Sequence, residues 1–238
     1  MTIIQALIFD VDGTLAETER DGHRPAFNQA FAEAGLPWVW DEALYGKLLA
    51  ITGGKERITH YAQHYHPELS NAPDFTERVK RLHQAKTAHY VAQVARGQLP
   101  LRPGIPRLLR EARLKGLRLA IATTTSPDNV TTLLEATLGP AAVQWFEVIG
   151  AGDIVAQKKP APDIYCWVLA QLGLPAKACL AIEDSPPGLQ AARAAGLRCL
   201  VTPGEYTLNQ DFSGALAVIE DLNAWPLERI LNLLPHTD

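Results

Sequence analysis

Residues 3–14 read Ile-Ile-Gln-Ala-Leu-Ile-Phe-Asp-Val-Asp-Gly-Thr. The first part of this stretch is a short, mostly apolar and β-branched run, which is typical of a buried β-strand. The run ends in an acidic turn, Asp10–Thr14, that contains a glycine. Because open α/β sheets bind their ligands at the carboxyl ends of the strands, this turn is predicted to lie in a ligand site. A polar turn that only caps the strand is the structural alternative.

Similar apolar runs recur further along the chain, and helical patterns fill most of the intervals between them. These runs are Leu117–Ala122, Phe146–Gly150, Cys179–Ile182 and Leu197–Val201. Strands that alternate with helices form parallel sheets whose two faces are both covered. The sequence therefore predicts an α/β fold with a Rossmann-like, doubly wound parallel sheet at its core.

The pattern changes between the first run and Pro103. From about residue 18 to residue 97 the chain reads as helices, with periodic apolar positions and no convincing buried strand. We therefore expect an all-helical domain, residues 17–97, inserted into an α/β core formed by residues 1–16 and 98–238. We call residues 17–97 the helical insert.

The composition excludes several classes of function. The chain has 238 residues, 47% of them hydrophobic, and a net charge of −4, which argues against a surface that binds nucleic acid or anionic lipid. Its three cysteines show no C-x-x-C spacing, so neither a disulfide framework nor a zinc site is indicated. No apolar stretch is long enough to span a membrane and no signal peptide is evident, so we expect a cytoplasmic protein. A monomer is the default expectation.

Three later segments place chemically active residues at predicted strand ends. Thr123 ends the second apolar run, Lys159 lies just before a helix start, and Glu183-Asp184 follows another run. Each residue has an ordinary explanation by itself: a helix cap, a solvated loop charge and a partner of a helix dipole, respectively. Their joint occurrence at successive strand ends favours one shared site.

These segments resemble the motifs of the haloacid dehalogenase superfamily of phosphotransferases. Motif one corresponds to Asp10–Thr14, motif two to Thr123, motif three to Lys159 and motif four to Glu183-Asp184. The helical insert resembles the mobile cap of the subclass that includes β-phosphoglucomutase and many small sugar phosphatases. The resemblance covers nearly the whole chain and implies an enzyme that acts on a small sugar phosphate.

Within that subclass, three segments resemble the CbbY proteins of carbon-fixation operons. They are Glu17–Arg24, Leu48–Arg57 and Glu183–Leu189. The substrate that this resemblance implies is xylulose 1,5-bisphosphate, an inhibitory side product of Rubisco, which would be hydrolysed to xylulose 5-phosphate.

The resemblance also implies roles for the motif residues. Asp10 is the expected nucleophile and Asp12 the general acid, while Thr123 and Lys159 hold the transferring phosphoryl oxygens. Asp10, the backbone carbonyl of Asp12, and Asp184 are expected to bind Mg²⁺, with Glu183 as a further ligand. A neighbouring carboxylate or an apolar closed cap is expected to raise the pKa of Asp12 enough for the role of general acid.

The helical insert is expected to supply specificity. A bisphosphate needs a second cationic site, for which the candidates are His23, Arg24, Lys55 and Arg57. Glu17 is placed to accept sugar hydroxyls. The remaining predicted substrate contacts are Thr52, Gly53, Gly54 and the backbone of Thr124. Solvated helix positions are the alternative for Arg24 and Arg57.

Three other functions remain open on the motifs alone. A mutase of the β-phosphoglucomutase type uses the same aspartate pair, and an apparent one-residue insertion in Glu17–Arg24 favours hydrolysis over that reaction. A phosphoglycolate-type phosphatase is the second alternative. A non-catalytic sugar-phosphate sensor is disfavoured, because binding alone does not require all four motifs.

Overall fold

The computed structural model describes residues 4–97 and 99–234, and within these ranges it contains a single six-stranded sheet. The strands are β1 (Ala6–Phe9), β2 (Arg118–Ala122), β3 (Phe146–Gly150), β4 (Cys179–Glu183), β5 (Arg198–Val201) and β6 (Ala217–Val218). Their order is β3-β2-β1-β4-β5-β6, and every neighbouring pair is parallel. The predicted α/β fold with a doubly wound sheet is confirmed; Ile3, the first residue of the predicted strand, lies outside the described residues.

Ten α-helices surround the sheet or lie between β1 and β2 in the described part of the chain. They are α1 (Arg24–Glu33), α2 (Glu42–Leu48), α3 (Gly54–Tyr65), α4 (Pro67–Ser70), α5 (Phe75–Ala95), α6 (Ile105–Leu114), α7 (Pro127–Leu138), α8 (Asp163–Leu172), α9 (Pro186–Ala194) and α10 (Leu227–Leu231). A π-helical turn, Glu19–His23, precedes α1. Across the described residues, no helix combines the length and the hydropathy needed to cross a membrane.

Strand β1 lies at the centre of the sheet and is buried on both faces. Leu7 packs in one hydrophobic layer with helices such as α6 and α7, whereas Ile8 packs in the opposite layer with α8 and α9. Alternate side chains of a strand point to opposite faces, so a strand covered by helices on both sides must be apolar at every position. This explains why β1 has a continuous rather than an alternating apolar pattern.

The helical insert has a hydrophobic core of its own. Phe27, Phe31, Trp38, Trp40 and Tyr45 are all buried in it, and the ring centroids of Phe27 and Trp40 lie 4.7 Å apart. Large aromatic side chains bury much apolar surface and hold helices together at such contacts. The division into a core of residues 1–16 and 98–238 and an insert of residues 17–97 stays a prediction, and Gln98, at that boundary, lies outside the described residues.

The chain leaves the sheet and returns to it through two neighbouring segments. Ala16 and Leu101 form an antiparallel bridge, and the backbone N–H of Arg102 donates to the carbonyl of Leu15 at 2.8 Å. The beginning and the end of the helical insert therefore lie side by side, next to the acidic turn that follows β1.

Candidate active site

The carboxyl ends of three strands meet at one edge of the sheet. Asp10 follows β1, Thr123 follows β2, and Asp184 follows β4. Lys159 reaches the same place from the loop before α8. These four residues line a cavity of about 340 Å³ that is also bounded by residues of the helical insert. We call this the strand-end cavity.

Lys159 connects two of the carboxylates. Its Nζ atom donates to Asp10 Oδ1 and to Glu183 Oε1, each at 2.6 Å. The hydroxyl of Tyr165 donates to the same Glu183 oxygen. Burial lowers the pKa of Lys159, but the charges of Asp10 and Glu183 raise it overall. The lysine is therefore a fixed positive charge beside Asp10.

Three carboxylates crowd around this lysine. Asp10, Glu183 and Asp184 each have an oxygen within 4.8 Å of the others, and Glu183 Oε2 has no hydrogen-bond partner among the described residues. Burial raises the pKa of Asp10 to about 7 against the opposing effect of Lys159, and burial also raises the pKa of Asp184 well above its ordinary value. One lysine does not balance three buried carboxylates, so the donor set fits a divalent cation that prefers oxygen ligands.

Gly13 makes room for one of these carboxylates. Its φ is +82°, and a Cβ atom built at this position would lie 2.2 Å from Asp184 Oδ2. Such a distance is far below van der Waals contact, and L-residues rarely adopt this backbone conformation. The glycine of the acidic turn is therefore required by both its conformation and the position of Asp184.

The side chain of Asp12 is held by the beginning of the helical insert. Its Oδ1 atom accepts from Thr18 Oγ1 at 2.6 Å and lies 2.8 Å from His23 Nε2. The other ring nitrogen of His23 lies 2.8 Å from Lys86 Nζ, and Tyr90 stacks on the ring at a centroid distance of 4.1 Å. These residues form a buried polar chain from α5 to the acidic turn.

These contacts lower the pKa of Asp12, which is the opposite of what the sequence analysis predicts. Burial raises the pKa of the carboxyl, but the influence of His23 and the hydrogen bond from Thr18 lower it overall. The expectation of a raised pKa was wrong, because the nearest groups to this carboxylate are the imidazole and a hydroxyl donor rather than another carboxylate.

The predicted substrate contacts fall into three groups. Those that line the strand-end cavity are Glu17, Thr52, Arg57 and Thr124. Those that line a second cavity, of about 800 Å³, between α3, α5 and α7 are Gly53, Gly54, Lys55 and again Thr124. His23 contacts Asp12, whereas Arg24 lies 3.5 Å from Glu42 and lines neither cavity.

Lys55 and Arg57, the two predicted cations that line these cavities, already have partners. Lys55 forms an ion pair with Asp153, which lies in the loop after β3. Arg57 is buried; its Nε donates to the carbonyl of Leu48 at 3.2 Å and its Nη1 to the hydroxyl of Tyr45 at 2.9 Å. Lys55 therefore joins the insert to the core, while Arg57 is fixed within the insert.

Several residues of the site were not predicted. Tyr45 donates to Glu19, which also lines the strand-end cavity, and Tyr165 donates to Glu183. Lys86 supports His23 from a helix whose other lysine, Lys80, is exposed. A single tyrosine or lysine on a helix has no distinguishing spacing, so only the fold brings these side chains to the site.

Comparison with known proteins agrees with this geometry. Residues 4–196 match the family model of haloacid dehalogenase-like hydrolases. Protein CbbY of Rhodobacter capsulatus is 52% identical over 97% of this chain and 99% of the relative. The crystal structure of CbbY from Rhodobacter sphaeroides with phosphate superposes with a TM-score of 0.89, at 47% identity over 95% of this chain and 99% of that one.

A second structure of the Rhodobacter sphaeroides protein is its D10N mutant in complex with xylulose 1,5-bisphosphate. It has the same TM-score of 0.89 and is 46% identical over 95% of this chain and 99% of that one. The family match covers well over half of the chain, and the four motifs converge on one cavity. The chain therefore belongs to the haloacid dehalogenase-like hydrolase family and is a phosphatase.

Proposed function

We propose that this enzyme is a Mg²⁺-dependent sugar-phosphate phosphatase that hydrolyses xylulose 1,5-bisphosphate to xylulose 5-phosphate through an aspartyl-phosphate. The observation that carries the proposal is the position of Asp10, which faces the strand-end cavity between Lys159 and Asp184. The xylulose 1,5-bisphosphate complex of a relative 46% identical to this chain supports the choice of substrate.

The first chemical step forms a bond between an Asp10 carboxylate oxygen and phosphorus. The bond between phosphorus and the sugar oxygen breaks, and the Asp12 carboxyl gives its proton to the departing alkoxide. A phosphate dianion repels carboxylates, so the step needs positive charge at the phosphoryl oxygens. Lys159 supplies it, and Thr123 and the backbone N–H of Thr124 donate hydrogen bonds.

The second step returns the enzyme to its starting state. Asp12 takes a proton from a water molecule, whose oxygen attacks the phosphorus while the bond to Asp10 breaks and inorganic phosphate leaves. The low pKa of Asp12 keeps this group ionised and ready to accept that proton. Before the first step Asp12 therefore takes up a proton from solvent as the substrate dianion binds, because a like charge disfavours the ionised form.

The carboxylates of Asp10, Glu183 and Asp184, which we call the acidic cluster, are proposed to form a Mg²⁺ site. The carboxylates of Asp10 and Asp184 and the backbone carbonyl of Asp12 are the proposed ligands, and Glu183 is a further candidate through its unpartnered Oε2. When bound, the ion supplies charge that lowers the repulsion between carboxylate and phosphate.

The second phosphate of the substrate is proposed to bind at the insert. Lys55 and Arg57 are favoured over His23 and Arg24, because His23 contacts Asp12 and Arg24 lies against Glu42. Lys55 is one-third exposed, so an incoming phosphate can replace Asp153 as its partner. Glu17 lines the same cavity as Asp10 and is proposed to accept sugar hydroxyls.

The test is release of inorganic phosphate, with Mg²⁺ and with a chelator. Suitable substrates are xylulose 1,5-bisphosphate, ribulose 1,5-bisphosphate, β-glucose 1-phosphate and phosphoglycolate. Fast Mg²⁺-dependent release from the xylulose compound, with weak release from the others, is expected. Isomerisation of glucose 1-phosphate without phosphate release would overturn the proposal in favour of a mutase.

The variant D10N tests the nucleophile in the same assay. We expect turnover to fall by about 10³-fold or more, as for other residues that form the covalent intermediate. D74N changes an exposed aspartate of the insert and is the matched control. Near-normal turnover by D10N would remove Asp10 from the mechanism.

A further inference from the structure

Arg102 is a buried arginine at the junction between the insert and the core. One of its terminal nitrogens, Nη1, donates to the carbonyls of Gly13 and Thr202, the latter at 2.7 Å. The other, Nη2, donates to the carbonyls of Pro203 at 2.8 Å and Glu220 at 3.3 Å. Its guanidinium thus ties the acidic turn to the loops that follow β5 and β6. With both terminal nitrogens in use, the orientation of the group is fixed by the core.

The remaining nitrogen of Arg102 contacts the helical insert. Its Nε lies 3.1 Å from Glu17 Oε1. The side chain of Glu17 is 43% exposed, whereas that of Arg102 is 8% exposed. The carboxylate is therefore accessible from the strand-end cavity on one side and held by a rigid cation on the other.

The second oxygen of Glu17 lies on the same side of Gly204 as a carboxylate oxygen of Asp184. A Cβ atom built on Gly204 would lie 3.5 Å from Glu17 Oε2 and 3.2 Å from Asp184 Oδ2. Both carboxylates therefore border the same glycine. Burial and the charge of Glu205 raise the pKa of Glu17, and Arg102 opposes this, so the arginine favours the ionised carboxylate at this position.

We propose that Arg102 is a positioning residue that holds Glu17 in the strand-end cavity for recognition of substrate hydroxyl groups. A hydrogen-bonding group that is already oriented loses less conformational freedom when substrate binds, which improves both affinity and discrimination. The inference rests on the proposed sugar-phosphate function. It adds that selectivity for hydroxylated substrates depends on a core residue outside the four motifs.

The experiment compares R102K, E17Q and the double variant on xylulose 1,5-bisphosphate, ribulose 1,5-bisphosphate, glucose 1-phosphate and p-nitrophenyl phosphate, which has no sugar hydroxyl. Lysine keeps the positive charge of Arg102, but it lacks the separate Nε and Nη donors by which the guanidinium contacts Glu17 and the backbone carbonyls at the same time. For the best sugar phosphate we expect R102K to raise KM about tenfold, as for loss of a hydrogen bond to a charged group. For p-nitrophenyl phosphate, kcat/KM should stay within about threefold, because this substrate does not use Glu17.

The double variant separates positioning from general damage to the structure. If Arg102 acts through Glu17, adding R102K to E17Q should have little further effect on the sugar phosphate. The inference would be overturned if the fold-effects of R102K and E17Q multiplied in the double variant. It would also be overturned if R102K reduced kcat/KM equally for the sugar phosphates and for p-nitrophenyl phosphate. R107K is the matched control, because Arg107 donates to the carbonyl of Leu222 at 2.6 Å and lies outside the cavity.

Two further measurements keep the outcomes distinct. E17D leaves every carbonyl contact of Arg102 in place but shortens the side chain that reaches it, so it tests the pair even if R102K unfolds. An unchanged KM for E17D would also overturn the inference. Wild-type enzyme that hydrolyses p-nitrophenyl phosphate but none of the sugar phosphates would instead refute the proposed function.

Discussion

The Nε2 atom of His23 lies 2.8 Å from Asp12 Oδ1, so a residue of the helical insert contacts the proposed general acid of the core. Lys86 supports the opposite side of the same ring. The proton affinity of Asp12 therefore depends on how the insert is seated, because moving the imidazole away removes the influence that lowers its pKa. The proposed recognition of substrate by the insert and the proposed proton transfer at Asp12 would thereby be coupled.

Because Lys86 is buried, we expect the free energy of unfolding of the protein to rise with pH in mildly alkaline solution. Burial lowers its pKa from 10.5 to about 8, against the opposing charges of Asp12 and Glu19. Between these values the unfolded chain binds more protons than the folded one, so stability rises with pH. Relative to K86M, the free energy of unfolding of wild type should increase by about 3 kcal/mol from about pH 7 to pH 11.

Urea unfolding at several pH values checks this prediction. K80M removes an exposed lysine from the same helix and shows what loss of a surface charge does by itself. A difference between wild type and K86M that stays constant over this range would contradict the prediction.

Substitution of Gly13 should affect metal binding more than folding. In G13A the new Cβ atom would collide with Asp184 Oδ2, so Mg²⁺ affinity measured by calorimetry should weaken by about 10- to 100-fold. G116A is the control, because Gly116 has a similar φ of +76° but no atom within 4 Å of an added Cβ. Both variants should lose some thermal stability from backbone strain; equal Mg²⁺ affinities would speak against a metal ligand at Asp184.

Loss of the Lys55 charge should discriminate between substrates. We expect K55M to raise KM for a bisphosphate about tenfold, since a charge-assisted contact to the second phosphate is lost. KM for a monophosphate should change little. Steady-state kinetics on xylulose 1,5-bisphosphate and glucose 1-phosphate make the comparison, with K115M at an exposed position as the control. Equal effects on both substrates would exclude Lys55 from the second-phosphate site.

The hydroxyl of Tyr165 should contribute to both stability and turnover. Y165F removes a donor to Glu183, which also accepts from Lys159. Loss of a hydrogen bond to a buried charged group should lower the free energy of unfolding by about 1–3 kcal/mol. Without the tyrosine hydroxyl, the Glu183 carboxylate that accepts from Lys159 is held less firmly, so Lys159 is positioned less well and kcat should also fall. Chemical denaturation and steady-state kinetics measure the two effects. Y65F, at an exposed tyrosine, is the control. A normal kcat for Y165F would limit Tyr165 to a structural role.

Most of the sheet could be predicted because its strands form short apolar runs, and the central strands β1 and β4 are buried along their whole length. The run 117–122 became Arg118–Ala122, and the run 179–182 became Cys179–Glu183. The exception is β6, where Ala217 is half-buried, Val218 is exposed and both residues pair with β5 alone. A two-residue edge strand has too little apolar pattern to stand out from a loop.

The part of the site that the fold pattern itself predicts is the part that follows the strands, whereas Lys159 and the residues of the insert were predicted from their motifs. Asp10, Thr123 and Asp184 come directly after buried runs, so the parallel topology itself brings them together. Arg102 and Lys86 come from segments without such a pattern, and each is explained only by its partners in the folded chain. The pKa of Asp12 was misjudged for the same reason, because the sequence does not indicate that His23 lies next to it.

The bridge between Ala16 and Leu101 has a consequence for engineering. Because the two ends of the helical insert are adjacent, a short glycine-containing turn can replace it without separating any pair of strands. The helical insert has a hydrophobic cluster of its own, but its residues Ala26, Tyr90 and Val94 pack in the cluster of the sheet. Under the proposed function, in which the insert supplies selectivity, grafting the corresponding segment of another phosphatase onto this sheet is a route to new substrates, provided that the graft keeps the packing made by Ala26, Tyr90 and Val94.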